Sequence, residues 1–321
     1  MARGATMKRC ALCLTLLLVF VSNSQSYAQA SPVSVCLSSC VQLDKPAIRV
    51  VALNWSVAEM LLTLDITPVG VTQGNGYRKW QTNTPELPET VTEVGTRQEP
   101  NLAAIMALNP DLIIGYEFRH RRILSSLQSI APTLLYQQFP TLSQSEFRYF
   151  DESQKIFLAI AEATDKQQKA LSQLEEMHTR LAELKQQLAD AGLANMDVSY
   201  GKFVGMGYGL RIFTDISLAG SISEELGLNY TWRDGLPGKD FTHLQLEQLP
   251  ALQNSHLLLA GNQVDGERMM HSPVWPLLPF VQNNDISEIP PLFSFGGPLS
   301  AIKMAEAFTQ SLLTRQENLH D

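Results

Sequence analysis

Three shortages bound what this chain can be. It has four cysteines in 321 residues, no apolar run longer than about a dozen residues, and no block of clustered lysine and arginine. The first excludes a disulfide-dense small scaffold. The second excludes a membrane-spanning helix, which needs ~20 apolar residues. The third, with 24 basic against 32 acidic side chains and a formal charge of -8, leaves nothing to neutralise a phosphate backbone, so no nucleic-acid partner is expected. What is present is globular: 45% hydrophobic and 17% charged residues, apolar enough for the cores of about two domains.

The N-terminus has its own grammar. Arg3, Lys8 and Arg9 precede an apolar run from Cys10 to Val21, and a polar stretch ends in Ala28-Gln29-Ala30, the small-x-small pattern of a signal peptidase site. Residues 1–30 are therefore read as a secretory signal peptide. Its removal takes three cations and no acid, leaving 21 basic and 32 acidic groups and a formal -11. Cys10 and Cys13 leave with it, whereas Cys36 and Cys40 stay in a short extension, residues 31–46. Two close thiols in an exported chain suggest a small disulfide loop. Leu37-Ser38-Ser39-Cys40 also has the form of a lipoprotein box, but it stands well beyond the apolar run, so a lipid anchor at Cys40 is the less favoured reading.

From Ala47 onward strands and helices alternate. Ile48 to Leu53 reads as a buried strand, Val57 to Leu64 as a short amphipathic helix, Val69 to Val71 as a strand, Asn101 to Leu108 as a helix and Leu112 to Ile114 as a buried strand. Ile123 to Ile130 and Leu134 to Tyr136 add a helix and a strand, giving an N-terminal α/β lobe over 47–144 built on a parallel sheet. Residues 145–192 turn to Gln, Glu, Lys, Ala and Leu, with Leu171, Leu174, Met177, Leu181, Leu184 and Leu188 spaced by three and four. Thr164-Asp165-Lys166-Gln167 has the form of a capping box, which predicts a break and then a helix of about 26 residues, roughly 39 Å long. Strands at 198–204, 211–213 and 256–260, with helices at 221–226 and 244–249, make a second α/β lobe over 193–321. The expected fold is two α/β lobes with central parallel-type sheets, joined by one long bridging helix and separated by a cleft.

Catalytic frameworks are missing as well. The mature chain has no G-x-S-x-G, H-E-x-x-H or C-x-x-C, and its histidines, including His120, His243 and His256, are scattered. Gly205-Met206-Gly207-Tyr208-Gly209 lacks the third glycine of a dinucleotide loop and precedes a strand, so it is read as a cleft-facing connection. In a parallel sheet the loops after strand C-termini face the cleft, and aromatic and arginine residues collect there. They are Trp55, Tyr77, Trp80, Arg97, Tyr116, Phe118 and Arg119 in the first lobe, and Tyr208, Arg211, Trp232, Phe293 and Phe295 in the second. Such a wall suits a large, partly apolar, oxygen-rich anion. Any one of these residues taken alone has packing as its more ordinary role.

Several stretches resemble the periplasmic substrate-binding proteins of iron-siderophore ABC importers, especially the ferric hydroxamate (ferrichrome) branch. They are Arg49 to Trp55, Tyr77-Arg78-Lys79-Trp80, Val94-Gly95-Thr96-Arg97-Gln98-Glu99-Pro100-Asn101-Leu102, Ala107 to Ile114, and Phe293-Ser294-Phe295-Gly296-Gly297-Pro298. The resemblance covers about residues 47–312. It implies no enzyme, no cofactor and no resident metal. The implied ligand is a ferric siderophore, its iron held through the chelator, carried by a monomeric protein in a Gram-negative periplasm to an inner-membrane ABC permease. It also implies that Arg97 bonds the iron-coordinating oxygens, with Trp55, Trp80, Phe293 and Phe295 as the aromatic wall. A Tyr116-Glu117-Phe118-Arg119 run and Gly238-Lys239-Asp240 replace residues expected of the hydroxamate branch, and the added cations leave a carboxylate or citrate-type siderophore open. The family's permease-docking glutamates align with Ala103 and Ser221, so Glu99, Glu224 and Glu225 are the substitutes considered. Haem, cobalamin, another metal chelate, or an exported enzyme on the same fold are the alternatives.

Overall fold

Strands buried on both faces form the spine of each lobe. Leu112–Tyr116 and His256–Ala260 are buried at every position, as parallel strands covered by helices on both sides must be. The computed structural model describes Met1 and residues 32–82, 84–141, 146–203, 209–261, 266 and 269–320, without the side chains of Trp80 and of residues 319 and 320. Its elements lie in one unit, Ser31–Asp321. The predicted leader and Tyr208 fall outside the described residues.

The chain enters through an antiparallel hairpin, β1 (Val33–Cys36) and β2 (Cys40–Leu43), whose tip is closed by the Cys36–Cys40 disulfide. The Ser38 and Ser39 N–H groups donate to the Leu135 carbonyl, which fixes the tip to the first sheet. That sheet contains β3 (Val50–Ala52), β4 (Gly70–Val71), β5 (Thr92–Glu93), β6 (Leu112–Tyr116) and β7 (Thr133–Tyr136), all parallel, in the order β5-β4-β3-β6-β7. Strand order reverses between β3 and β6, so the loops leaving these strands open a crevice on one side. Helices α1 (Trp55–Thr63), α2 (Gly74–Trp80), α3 (Leu102–Ala107), α4 (Glu117–His120) and α5 (Leu124–Gln128) connect these strands. Helix α1, read as amphipathic from sequence, is buried at eight of its nine positions because the second lobe covers its outer face.

Two helices connect the lobes. Helix α6 (Tyr149–Ala163) begins against the second lobe, where the Tyr149 N–H donates to the Ile216 carbonyl, and ends at the first, where the Ala163 carbonyl accepts from the Ala47 N–H. Helix α7 (Gln167–Asp190) returns, burying Ala170, Leu174, Met177, Leu181, Leu184 and Leu188. Leu171, counted in that stripe from spacing, is exposed. The break before α7 falls where Thr164 predicted it, by a different device: the Thr164 hydroxyl donates back to the Ile160 carbonyl at 2.7 Å and closes α6 instead of capping α7.

The second sheet has six strands in the order β11-β9-β8-β12-β13, with β10 (Asn229–Tyr230) paired to one end of β8 (Asp197–Phe203). Strands β12 (His256–Ala260) and β13 (Ile286–Ile289) are parallel to β8, whereas β9 (Leu210–Phe213) and β11 (Phe241–Leu244) are antiparallel to their neighbours. This antiparallel half is a difference from the sequence reading, which took 244–249 for a helix. The segment is instead the end of β11 followed by a 3-10 turn, Leu246–Leu252, carrying Pro250. The C-terminal helix Pro298–His320 closes the unit against α7 and α8 (Leu218–Glu225).

Candidate functional site: a cationic, aromatic interlobe cleft

The crevice is built from the ends of β3 to β7. Asn54 caps α1, its Oδ1 accepting from the Trp55 N–H, while its Nδ2 donates to the Tyr136 hydroxyl at 2.7 Å and to Gln138 Oε1. The Trp55 indole N–H donates to the Thr72 and Gln73 carbonyls at 3.2 and 3.0 Å, holding the ring across the end of β4. Only a glycine fits over that ring at position 76, where a Cβ would lie 2.1 Å from the indole. Arg97 lies on the ring, Cζ 4.0 Å from its centre, and its Nε donates to Gln73 Oε1 at 2.7 Å. It is thus oriented by an aromatic face and an amide; Glu93 and Glu99, which the same guanidinium fork could have held, do not engage it.

His120 fixes the neighbouring loop. Its Nδ1 accepts from the Tyr116 N–H at 3.1 Å, and Nε2 stands 3.1 Å from the Arg97 carbonyl, so the ring is the neutral tautomer with the proton on Nε2. Burial, with nearby Arg119, pushes its pKa down to about 4. A Cβ on Gly115 would strike the ring at 2.5 Å, which accounts for the glycine. Tyr116 is buried beside it, its phenol raised by burial.

A continuous chain of rings joins the lobes. Trp55 meets Phe293 at 5.6 Å between centres, Phe293 meets Phe295 at 6.1 Å, and Phe295 meets Phe139 at 5.7 Å and Phe213 at 6.1 Å. Phe139 reaches Phe118 at 5.6 Å and Phe241 at 6.3 Å. Five cations lie over these rings. Besides Arg97 they are Arg119 over Phe118, Lys239 over Phe118 at 3.8 Å and Phe139 at 4.3 Å, Arg211 over Phe241 at 4.2 Å, and Lys202 over Phe213 at 5.4 Å. Burial lowers the pKa of Arg97, Lys202, Arg211 and Lys239, with Lys202 down to about 8, and the cations depress one another across the cleft: Arg119 acts on Arg97 and Lys239, Arg97 and Arg211 on Lys202. Asp240 is the acid in this field; burial lifts its carboxyl to about 7 against the pull of Arg211, Lys202 and Lys239.

The residues singled out from sequence divide accordingly. Trp55, Arg97, Phe118, Arg119, Arg211, Phe293 and Phe295 come together in this set, with Tyr116 at its edge. Tyr77 does not: it is fully buried in α2 (Gly74–Trp80), its hydroxyl donating to the Pro85 carbonyl. Trp232 packs on the second lobe's core and donates to the Asp234 carbonyl. Trp80 belongs to α2, and its side chain, like Tyr208, is outside the described set. Glu99 is exposed; Glu224 and Glu225 pair with Arg148 at 3.1 and 3.8 Å, and Ser221 is buried. Phe139, Phe213, Phe241, Lys202, Gln73 and His120 were missed as site residues. A single cation inside the otherwise buried run from Val198 to Phe203 was the available signal for the lysine.

Beneath the cleft, Glu59 on α1 is a buried link between the lobes. Its Oε1 accepts from the N–H groups of Gly297 and Ser300 at 2.9 and 3.0 Å, and Oε2 from Gln81 Nε2 and the Ser300 hydroxyl. A carboxylate from one lobe thereby caps the C-terminal helix of the other, favoured by the helix dipole, although burial still raises its pKa. The hydroxyls of Ser56 and Tyr149 both donate to the Phe295 carbonyl, and Lys303 donates to the Thr84 carbonyl at 2.6 Å.

Comparison with known proteins matches this architecture. The sequence pattern of the periplasmic binding protein family fits residues 50–292. The Fe(3+) dicitrate-binding periplasmic protein FecB of Escherichia coli is 28% identical over 249 residues, covering 77% of this chain and 78% of the relative. The Fe(3+)-citrate-binding protein YfmC of Bacillus subtilis is 30% identical over 245 residues, covering 74% and 71%. Among solved structures, the siderophore-binding protein FhuD of Vibrio cholerae, bound to Fe3+-Desferal, superposes with a TM-score of 0.76 at 31% identity, covering 83% of this chain and 98% of that one. With fold and sequence in agreement, the chain belongs to the periplasmic binding protein family.

Proposed function

We propose that this protein captures a ferric siderophore of the anionic, citrate type in the interlobe cleft and hands it, as a monomer in a Gram-negative periplasm, to an inner-membrane ABC permease. Five cations on one aromatic chain carry the reading. In a partly dried site they attract a polyanionic chelate, and the rings cover its apolar parts. The same field repels a bare metal ion, and the described residues hold no group of three or more His, Cys, Asp or Glu fit to ligate one. Haem would want an axial Tyr or His, whereas both His120 nitrogens are engaged and Tyr116 is buried. Members of the family are substrate-binding proteins, not enzymes. Against a lipid anchor at Cys40, its sulfur is committed to Cys36; among the described residues no helix is long and apolar enough to cross a membrane. Exposed Glu99 on one lobe and the half-exposed Glu224–Glu225 pair on the other are the acidic groups proposed to meet the permease.

Tryptophan fluorescence titration tests the cargo. Ferric citrate should quench strongly, and its affinity should fall steeply with added salt. The cationic ferric complex of Desferal should bind more weakly. Tighter binding of that complex, of a neutral ferric hydroxamate or of haem than of ferric citrate would overturn the charge argument.

A further inference from the structure

Asp240 has no part in the cargo reading so far, and its surroundings are anomalous. Both carboxylate oxygens are buried without a hydrogen-bond partner, and only the residue's own backbone N–H and the surrounding cations oppose the effect of burial. Buried carboxylates are ordinarily hydrogen-bonded or paired, so an unsatisfied one has to be explained. The residue immediately precedes β11, where its carbonyl accepts from the Thr214 N–H. The groups whose charge acts on it, or on which it acts, come from every surrounding element: Lys202 from β8, Arg211 from β9, Lys239 from its own loop, and the phenols of Tyr149 on α6 and Tyr230 on β10. His243 on β11 accepts from Arg211 Nε at 3.0 Å and is neutral. The three cations are the same ones that lie over the cleft rings.

We propose that Asp240 is the internal counter-ion of the cleft and its proton acceptor, balancing Lys202 and Arg211 while the cleft is empty and taking up a proton when an anionic ferric chelate arrives. The inference rests on the anionic cargo of the preceding section. An entering anion competes for the cations that keep Asp240 ionised and adds its own repulsion, and both effects favour the acid. Burial has already brought the carboxyl to about 7, so at neutral pH the shift needs little further driving. In the step, one proton from solvent or buffer adds to a carboxylate oxygen, and no other bond changes. Without this neutralisation a buried negative charge would remain beside the cations that meet the cargo; with it, the cleft presents its full positive charge only to a ligand negative enough to draw the proton in. Asp240 is thus a specificity-determining residue for ligand charge.

Calorimetry with ferric citrate at pH 7, in PIPES and in Tris, reads the proton directly, because the two buffers differ in ionisation heat. At this pH Lys202, near 8, is already mostly ammonium and contributes little. Wild type should take up about half a proton more than Asp240→Asn at pH 7, and the variant should bind about twofold tighter than wild type there. Equal proton uptake in the two proteins overturns the inference. Should the variant fold poorly, infrared difference spectra of wild type carrying 13C-carboxyl aspartate, which separate Asp240 from the buried Glu59, decide instead. The protonated-carboxyl stretch must titrate near pH 7 in the empty protein and grow on binding; a carboxyl that stays ionised or stays protonated throughout overturns the proposal. Absence of any heat from ferric citrate refutes the cargo reading and the uptake that depends on it. The titration of the empty protein then tests the counter-ion role separately.

Discussion

Arg97→Ala separates a ligand contact from a structural one. The side chain makes two contacts: the Nε bond to Gln73 and the stacking on Trp55. Its terminal nitrogens have no partner among the described residues, which leaves two N–H faces for cargo oxygens. Losing the stacking costs about 0.5–2 kcal/mol, offset by no longer burying a charge whose pKa burial lowers, so the empty protein should change in stability by less than about 1 kcal/mol. Against cargo, one to two charge-assisted hydrogen bonds disappear. At about 1.5–3 kcal/mol for the loss, affinity should fall by about tenfold to somewhat over a hundredfold. Arg97→Lys keeps the charge, loses the planar fork, and should recover only part. Fluorescence titration with ferric citrate gives the affinity, with Trp55 as the nearest reporter, and thermal melting of the empty protein gives the control. Wild-type affinity in Arg97→Ala, or an empty variant that unfolds, would place Arg97 in the scaffold and refute the site.

Two further outcomes concern the scaffold. Glu59→Ala orphans two backbone N–H groups, the Ser300 hydroxyl and the Gln81 amide in a buried site; urea unfolding should show a loss of at least about 3 kcal/mol, with Glu59→Gln losing about half as much, and a loss below about 0.5 kcal/mol would show that the link contributes nothing. His120 is held near 4, below the ordinary 6.5 of the unfolded chain, so the unfolded state takes a proton that the native state refuses. Its contribution to stability should therefore be intact above about 6.5 and fall by about 3 kcal/mol as pH drops toward 4; the difference in urea unfolding between wild type and His120→Gln should show that loss, over a background to which His256 adds the same sign and the carboxyls of Asp240 and Glu59, raised by burial, the opposite one.

How much was legible from sequence follows from which residues interact locally. The buried runs at Leu112–Ile114 and His256–Ala260 announce parallel strands because both faces need apolar side chains, and the α7 stripe announces itself by period. Arginines and aromatics just after those strands were found for the same reason: their place follows from the topology. Lys202, Phe139 and Asp240 were not found as site residues, because each gains its role from partners on other elements: Phe213 for Lys202, Phe295 for Phe139, Arg211 and Lys202 for Asp240. Glu59 reads as an ordinary polar position on a short helix. Its burial depends on the Gly297–Ser300 turn, at a separation of 241 residues from Ser300, and no local pattern encodes that contact.

The interlobe contacts bear on how such a cleft can work. Glu59, Ser56 and Lys303 all tie one lobe to the residues between Phe295 and Lys303 of the other, and Tyr149 at the start of α6 holds the same Phe295 carbonyl. These ties surround the loop carrying Phe293 and Phe295, so the part of the second lobe that would have to travel in a wide closure is already fixed to the first. Opening would break several buried hydrogen bonds together, each costly to leave unmade. Two crossing helices, α6 and α7, add to that resistance. Recognition must then come from side chains placed before the cargo arrives. Cations lying on rings suit this, since a guanidinium or ammonium over an aromatic face is oriented without spending its remaining donors.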